Sequence, residues 1–230
     1  MDGTPAQDRN EQNVELTAGG VRLQGNLVVP EGARGVVLFA HGSGSSRHSP
    51  RNQYVARALQ DAGLGTLLID LLSAEEERVD LRTRHLRFDI ELLAGRLVNA
   101  LDWLAQHPWT RHLAAGIFGA STGGGAALVA AAERPGCVRA VVSRGGRPDL
   151  AGPALPRVQA PTLLIVGGND LPVIGMNREA MARLRVETRL EIVPGASHLF
   201  EEPGTLEEVA RLASDWFLRH LGTGGASGTV

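Results

Sequence analysis

Lysine is absent from this chain of 230 residues, so arginine supplies all 23 of its basic side chains. The absence excludes Schiff-base lysine chemistry and a phosphate loop of the G-x-x-x-x-G-K type, because both need the lysine amine. A single cysteine, Cys137, excludes an intrachain disulfide and a thiolate metal cluster. Because Cys137 begins the apolar run CVRAVVS, we expect it to be a buried small hydrophobic residue.

The net charge is small, and long apolar runs are missing from the sequence. The 23 basic and 25 acidic residues are scattered and leave a formal net charge of −2, too little to attract nucleic acid or an anionic membrane surface. The polar start MDGTPAQDRNEQN lacks the apolar core of a signal peptide, and no uncharged apolar run reaches membrane-spanning length. We therefore expect a cytoplasmic protein without nucleic-acid or membrane partners. The sequence leaves its oligomeric state open.

The apolar runs that are present are short and alternate with helical stretches. VELTA and VRLQGNLVV flank Gly19 and Gly20 and predict a β-hairpin. Buried strands are then predicted at GVVLFAH, GTLLID, AAGIFGA, VRAVVS, PTLLIVG and TRLEIVP, with helices between most of them, at about 50–62, 90–107, 122–133, 176–185 and 206–221. This alternation predicts one α/β domain over residues 14–222, with a doubly wound, mostly parallel sheet and helices on both faces. Residues 1–13 and 223–230 are predicted to be flexible tails.

A serine, an aspartate and a histidine follow different predicted strands, at the edge where such sheets bind ligands. Ser121 lies in the G-x-S-x-G pattern of residues 119–123, between a predicted strand and a predicted helix, which is the context of a nucleophile elbow. Asp170 and His198 come later, in the chain order Ser, Asp, His. Because a serine hydroxyl needs a base that an acid orients, the pattern predicts Ser121 as nucleophile, His198 as base and Asp170 as its orienting group. The structural alternatives are a glycine-rich turn, an Asx turn and a loop histidine.

An oxyanion hole is predicted beside this serine. The loop HGSGSS follows the first predicted parallel strand, where this arrangement needs a second backbone donor. The N–H groups of Ser43 and Thr122 are therefore the candidates for stabilising the oxyanion. The structural alternative is a flexible glycine-rich loop.

Other function classes fit parts of the sequence. The stretch VVLFAHGSGSSRHSPRNQYVARALQDAGLGTLLID, which ends at Asp70, has the strand, G-x-G turn, helix and strand of a dinucleotide-binding unit, but Arg47 occupies the third glycine position. That interpretation also leaves the serine, aspartate and histidine unexplained. A non-catalytic small-molecule binding module on the same scaffold is the second alternative. A metal hydrolase has little support, because His41 and His48 offer no adequate ligand set, and we expect no metal or cofactor.

Together these motifs resemble the α/β-hydrolase fold, and most closely its dienelactone-hydrolase-like branch. The resemblance rests on the hairpin, HGSGSS, GASTGG, GGND with Asp170 and GASH with His198, and it covers essentially the whole predicted domain. It implies a serine hydrolase of carboxylesterase or lactonase type that forms an acyl-enzyme. Only RGGRPDLAGPALPRVQA stands where lidded relatives insert a cap, so it also implies no cap domain. Dienelactone hydrolases carry cysteine at the elbow whereas this chain has Ser121, so dienelactone itself is not implied as the substrate.

Without a cap, the walls of the substrate pocket must come from residues that follow the strands. We expect apolar walls from Leu71, Leu72, Leu171, Ile174, Leu199 and Phe200, which favour a small ester or lactone with a short acyl group. Arg144 follows its strand on the same edge and is a candidate for pairing with a substrate carboxylate, as arginines do in the branch that the chain resembles. Arg47 or Arg51 is expected near the rim. The alternative for Arg144 is a surface arginine on a glycine-rich turn.

Overall fold

The structure, a computed structural model, describes residues 11–222. One eight-stranded sheet organises this part of the chain. Its strands are β1 (Glu11–Ala18), β2 (Val21–Val28), β3 (Val36–Ala40), β4 (Gly65–Ile69), β5 (Ala115–Ala120), β6 (Val138–Arg144), β7 (Thr162–Gly167) and β8 (Thr188–Val193). They lie in the order β1-β2-β4-β3-β5-β6-β7-β8. β1 pairs antiparallel with β2 and β2 with β4, while all pairs from β4 to β8 are parallel. The predicted hairpin and mostly parallel sheet are confirmed.

The helices connect the strands and cover both faces of the sheet. They are α1 (Pro50–Asp61), α2 (Ala74–Thr83), α3 (Ile90–Gln106), α4 (Thr122–Glu133), α5 (Leu171–Arg183) and α6 (Thr205–Leu221). The side chains of Ser49 and Asp89 cap α1 and α3 by accepting N–H groups of their first turns. α1 begins at Pro50, where a missing N–H costs no intrahelical bond.

Alternation along the strands creates two apolar cores, one on each face. In β3, Val37 and Phe39 pack with the side chains of α1 and α6, whereas Val36 and Leu38 belong to the core under α3 and α4. Side chains of adjacent strand residues point to opposite faces, and both faces are covered, so every residue of β3 is buried. This arrangement fixes the strands rigidly and leaves their carboxyl ends as the edge from which loops project.

Several predicted boundaries were wrong. β1 already begins at Glu11, whose carboxylate accepts a hydrogen bond from Asn26 of β2, so residues 11–13 belong to the sheet and not to a tail. Residues 1–10 and 223–230, predicted as tails, lie outside the described residues. α5 begins at Leu171 rather than near residue 176, because Pro172 fits the first turn of a helix. Cys137 is exposed rather than buried, since it precedes β6 in a surface turn.

The connections between strands are compact. β6 and β7 are joined by a 3-10 segment, Pro148–Arg157, and the chain inserts no separate cap domain between residues 11 and 222. α2 and the 3-10 turn Leu86–Phe88 lie between β4 and α3 and were not predicted. Over the same range, none of the helices combines the length and apolar character needed to cross a membrane.

Candidate active site

The nucleophile elbow is visible in the backbone of Ser121, which joins β5 to α4. Ser121 has φ 52° and ψ −121°, a conformation that non-glycine residues rarely adopt. A Cβ at Gly119 would lie 2.5 Å from the carbonyl oxygen of Gly123, and a Cβ at Gly123 would clash with the carbonyl oxygens of Ala40 and His41. The two glycines therefore allow helix and strand to approach closely and hold the serine in a strained turn above the sheet.

Asp170 and His198 meet at the carboxyl ends of β7 and β8. Oδ2 of Asp170 lies 2.6 Å from Nδ1 of His198, and the side chains are 13% and 38% exposed. Their loops are held together by the hydrogen bond from the Asn169 N–H to the Ala196 carbonyl, 2.9 Å long. Because the carboxylate occupies Nδ1, the histidine has Nε2 available for another group.

Ser121 and His198 line the same open pocket, of about 690 Å³. We call it the serine pocket; its other lining residues are Gly42, Ser43, Ser45, Ser49, Arg51, Asn52, Ala120, Arg144 and Leu199. The predicted nucleophile and base thus share one cavity, with the predicted oxyanion donor Ser43 on its wall. Leu199, at 40% exposure, is the predicted apolar wall residue that lines this pocket.

Backbone amides of two loops converge beside Ser121. The N–H of Thr122 belongs to the first residue of α4, where it has no acceptor within the helix. The N–H of Ser43 donates to Oγ1 of Thr122 over 2.9 Å, which ties the HGSGSS loop to the helix start. The Ser43 amide is therefore next to the predicted oxyanion position but is occupied by a hydroxyl, which a substrate oxygen would have to share or replace.

His41 fixes the same loop from its other side. Its Nε2 accepts the N–H of Leu71 over 3.0 Å, and its Nδ1 lies 2.9 Å from the Gly42 carbonyl, so the tautomer protonated at Nδ1 satisfies both contacts. Burial lowers the pKa of His41, which favours this neutral form, although the Gly42 carbonyl partly offsets the effect. The histidine thereby links the loop after β3 to the loop after β4.

A second, narrow pocket is formed by the HGSGSS loop together with residues of the loop after β4 and of α2. We call it the loop pocket; it is lined by His41, Gly42, Ser43, Gly44, Ser45, Ser46, Asp70, Leu71, Leu72, Glu77, Asp80, Arg87, Leu93 and Thr122. Sequence analysis missed it because α2, which forms one wall, was not predicted. A signal was present: Ser73 and Glu76 form a capping box, the pattern S-x-x-E that marks a helix start.

Arg144 is buried at the end of β6, with only 7% of its surface exposed, so the surface-arginine alternative is wrong. One of its nitrogens lies 3.4 Å from Oδ1 of Asn52, and its guanidinium carbon lies 5.9 Å from the centre of the Phe200 ring. Its Nε and Nη1 have no hydrogen-bond partner in the described part of the chain. Burial, with a smaller contribution from Arg51, lowers the pKa of Arg144 to about 10, which leaves it charged at neutral pH.

The two arginines expected near the rim separate in the structure. Arg51 lines the serine pocket and lies 3.3 Å from a carboxylate oxygen of Glu201. Arg47 instead pairs with the side chain of Asp70 and does not line the serine pocket. Of the residues between 11 and 222, no group of three or more His, Cys, Asp and Glu side chains could hold a metal ion.

Most predicted apolar walls lie elsewhere. Ile174 packs with Val166 and Val173 in a small core cluster, and Phe200 belongs to the core under α6. Leu171 is 72% exposed at the start of α5 and lines neither the serine pocket nor the loop pocket. The remaining pair, Leu71 and Leu72, lines the loop pocket, although Leu71 is also fully buried in the core. Sequence position gave the edge correctly but not the direction of each side chain.

Comparisons with known proteins agree with this fold. The sequence profile of the dienelactone hydrolase family matches residues 23–221. A solved structure of a dienelactone hydrolase from Anabaena variabilis is 68% identical, covering 94% of this chain and 100% of that one with a TM-score of 0.92. Est1E from Butyrivibrio proteoclasticus, 14% identical over 90% of this chain and 98% of its own, has a TM-score of 0.75 and shows the fold alone.

Curated relatives from Mycobacterium tuberculosis carry a provisional phosphoribosyl transferase name. The H37Rv protein is 60% identical over 218 residues, which cover 95% of this chain but only 48% of the relative. This chain thus spans about half the length of the curated relatives it matches. The profile match and the Anabaena structure cover nearly all of the described residues, so the chain belongs to the dienelactone hydrolase family and has the α/β-hydrolase fold.

Proposed function

We propose that this protein hydrolyses small carboxylic esters or lactones through an acyl-enzyme on Ser121. The observation that carries the proposal is the shared pocket of Ser121 and His198, with Asp170 bound to the far side of the imidazole. Nucleophile, base and orienting acid are the parts that acyl transfer to serine requires. The partner is therefore a small molecule, and the mechanism uses no cofactor.

Acylation begins when the hydroxyl of Ser121 attacks the substrate carbonyl. Nε2 of His198 takes the hydroxyl proton, and the carboxylate of Asp170 stabilises the imidazolium through Nδ1. The oxyanion receives hydrogen bonds from the N–H of Thr122 and from that of Ser43, once the Ser43 amide turns from the Thr122 hydroxyl. His198 then delivers its proton to the leaving oxygen, which departs as an alcohol, and the acyl group remains on Ser121.

Deacylation reverses the roles of the same groups. A water molecule enters the serine pocket, gives a proton to Nε2 of His198 and attacks the acyl-enzyme carbonyl. The carboxylic acid leaves and Ser121 regains its proton. If an alcohol enters instead of water, the same steps transfer the acyl group, so the geometry serves hydrolysis and transfer alike.

An ester bond is favoured over other hydrolysable bonds by the name of one relative, whereas the elbow at Ser121 supports acyl chemistry in general. The Anabaena relative, 68% identical over nearly the whole chain, is called a dienelactone hydrolase, and a lactone is a cyclic ester. The elbow strain at Ser121 presents a hydroxyl for carbonyl attack. The phosphoribosyl transferase name belongs to proteins of about twice this length, and no feature of the Ser121 site favours that reaction.

The test combines a serine-directed fluorophosphonate label with a panel of aryl esters and lactones. Wild type should be labelled and should turn over short esters, whereas Ser121→Ala should lose both, by about a millionfold in rate, with an unchanged melting temperature. Ser214→Ala serves as the control, because the Ser214 hydroxyl donates to the Ala210 carbonyl within α6 and does not line the serine pocket. Labelling that persists in a folded Ser121→Ala variant would reject the assignment. A wild type that binds esters without labelling would be a binding module.

A further inference from the structure

A glycine-rich turn directly after β6 is bonded to the backbone of the predicted nucleophile. We call residues 144–147 the β6 turn. The N–H of Ser121 donates to the Arg144 carbonyl over 3.2 Å, and the N–H of Arg147 donates to the Ser121 carbonyl over 3.0 Å. Both polar backbone groups of Ser121 are therefore held by this turn.

The β6 turn also passes beside the predicted base. A Cβ at Gly145 would lie 3.1 Å from the carbonyl oxygen of His198 and 3.5 Å from Cε1 and Nδ1 of its ring. The N–H of Gly145 donates to the carbonyl of Ile165 in β7 over 2.7 Å, and β7 leads to Asp170. The turn thus binds the nucleophile, lies next to the base and is bonded to the strand that precedes the orienting acid.

Hydrogen bonds, rather than side chains, hold the two glycines of this turn in place. Glycine has wide conformational freedom, and Gly145 adopts a φ of 51°. Gly146 could carry no side chain, because a Cβ there would overlap Oγ of Ser143. The conformation of the turn consequently depends on the groups that bond its backbone.

Asn177 of α5 supplies one of these hydrogen bonds. Its side chain is fully buried, and its Nδ2 donates to the carbonyl of the buried Gly146 over 3.0 Å and to the Val173 carbonyl over 2.8 Å. Because α5 begins directly after Asp170, this amide ties the helix that follows the acid to the turn between nucleophile and base. Asn177 does not line the serine pocket, so it can act on the reaction only through the turn.

We propose that Asn177 is a positioning residue, which fixes Oγ of Ser121 and Nε2 of His198 relative to each other through the β6 turn. The proposal rests on the proposed function, because proton transfer between these two atoms is its first step. Catalysis depends steeply on the geometry of the reacting groups. A displaced turn should therefore lower kcat and leave substrate binding, and with it KM, nearly unchanged.

The first test is Asn177→Ala, which takes the donor away from the Gly146 carbonyl. With a short 4-nitrophenyl ester kcat should fall about tenfold and KM should stay within about twofold of wild type, while a fluorophosphonate labels Ser121 more slowly. Asn99→Ala is the matched control, because Nδ2 of Asn99 donates to the Gly95 carbonyl within α3, as Asn177 does to Val173 within α5. Both kinetic constants of this control should remain within about twofold of wild type.

The second test, Gly145→Ala, alters the turn on the side of the base. The new methyl group would be strained at a φ of 51° and would press on the His198 carbonyl. Gly152→Ala is the matched control, since Gly152 has a φ of 46° but nothing lies within 4 Å of its Cβ. Strain should lower the melting temperature of both variants, whereas only Gly145→Ala should lower kcat, by about tenfold with KM nearly unchanged.

The outcomes separate this proposal from the proposed function. A kcat within about twofold of wild type in either Asn177→Ala or Gly145→Ala, once its melting temperature shows that it is folded, would overturn the proposal. A change in KM instead of kcat, or an equal loss of kcat in Gly152→Ala, would overturn it as well. If Asn177→Ala does not fold, the two glycine variants decide alone. Absence of ester cleavage and of labelling in wild type would instead reject the proposed function itself.

Discussion

At the scale of single residues, the proposed mechanism depends on the contact between Asp170 and His198. Nδ1 of His198 and Oδ2 of Asp170 are 2.6 Å apart, so the carboxylate selects the tautomer that leaves Nε2 free to accept a proton. Asp170→Asn should favour the wrong tautomer and lower kcat about ten-thousandfold while the melting temperature stays close to wild type. Steady-state rates with a short ester measure this. Asp102→Asn, which breaks a surface pair with Arg134, is the control, and a loss below tenfold for Asp170→Asn would mean that another group orients His198.

At Arg144 we expect the stability of the protein and the recognition of its substrate to favour different side chains. Arg144 is a buried cation, and two of its nitrogens have no hydrogen-bond partner among the described residues; replacing such a charge by an apolar side chain of similar volume commonly stabilises a protein. Arg144→Met should therefore raise the melting temperature. It should also lower kcat/KM about ten- to a hundredfold for an ester with a carboxylate in its alcohol part, relative to the neutral isostere. Equal losses of kcat/KM for the charged and the neutral ester would show that Arg144 does not recognise the substrate carboxylate.

The position of a single residue could be predicted from the sequence only where its residue type and motif restrict where its side chain can lie. The placement of Ser121, Asp170 and His198 at one edge of the sheet could be predicted, because their motif, order and position after strands leave few places for them. Apolar residues carry no such information: Ile174 and Phe200 follow strands too, but they turn inward to the core. The burial of Arg144 was equally hidden, because it depends on Phe200 and Asn52, which lie far away in the sequence.

At the scale of secondary-structure elements, the start of α4 packs closely against the end of β3. Gly123 should tolerate no side chain, since its Cβ would meet the backbone of Ala40 and His41. Gly123→Ala should lower the free energy of unfolding by about 1–3 kcal/mol or more and displace Ser121. Gly95→Ala on α3 is the matched control, because nothing lies within 4 Å of that Cβ and alanine favours a helix by about 0.5–1 kcal/mol. Urea denaturation measures both; similar effects at the two positions would contradict the close-approach argument.

Helices and strands could be predicted where the local sequence pattern marks them clearly. α3 has such a pattern, whereas α2 does not. The stripe of Leu93, Leu97 and Leu101 on α3 predicted a helix because one apolar face repeats at helical spacing. α2 has a single buried residue, Asp80, so it offers no apolar stripe and only its capping box marks it. Its position is set by ion pairs with later parts of the chain, such as Arg96 with Glu76, which no local pattern contains.

At the scale of the whole molecule, strand order decides which loops become neighbours. Alternating strands and helices predicted a parallel sheet, but not that β3 lies between β4 and β5. That order places the loop after β3 between the loop after β4 and the nucleophile elbow, so His41 can reach Leu71 on one side and Ser43 can reach Thr122 on the other. Pairing between distant strands depends on packing of the complete sheet, and for that reason the loop pocket could not be predicted.

Stability of the whole domain should fall in acid, beginning above the range of carboxylate titration. Burial lowers the pKa of His41, His107 and His220 in the folded protein below 6.5. Between about pH 7 and 5 the unfolded chain therefore binds protons that the folded protein does not, and unfolding becomes easier as pH decreases. Burial alone would raise the pKa of Asp80, but its bonds from Arg87 and Leu86 outweigh that effect and lower it.

The melting temperature should consequently decrease in two stages. The first stage, below about pH 7, reflects the histidines, and the second, below about pH 4.5, reflects carboxylates such as Asp80 whose pKa is lowered by folding. Calorimetric scans between about pH 8 and 3.5 measure both stages. His107→Phe keeps the stacking on Trp103, whose ring centre lies 4.4 Å away, but removes one titrating group, so the first stage should become shallower. A melting temperature that is constant from about pH 7 to 5 in wild type would show that the buried histidines are protonated in the folded protein as readily as in the unfolded chain.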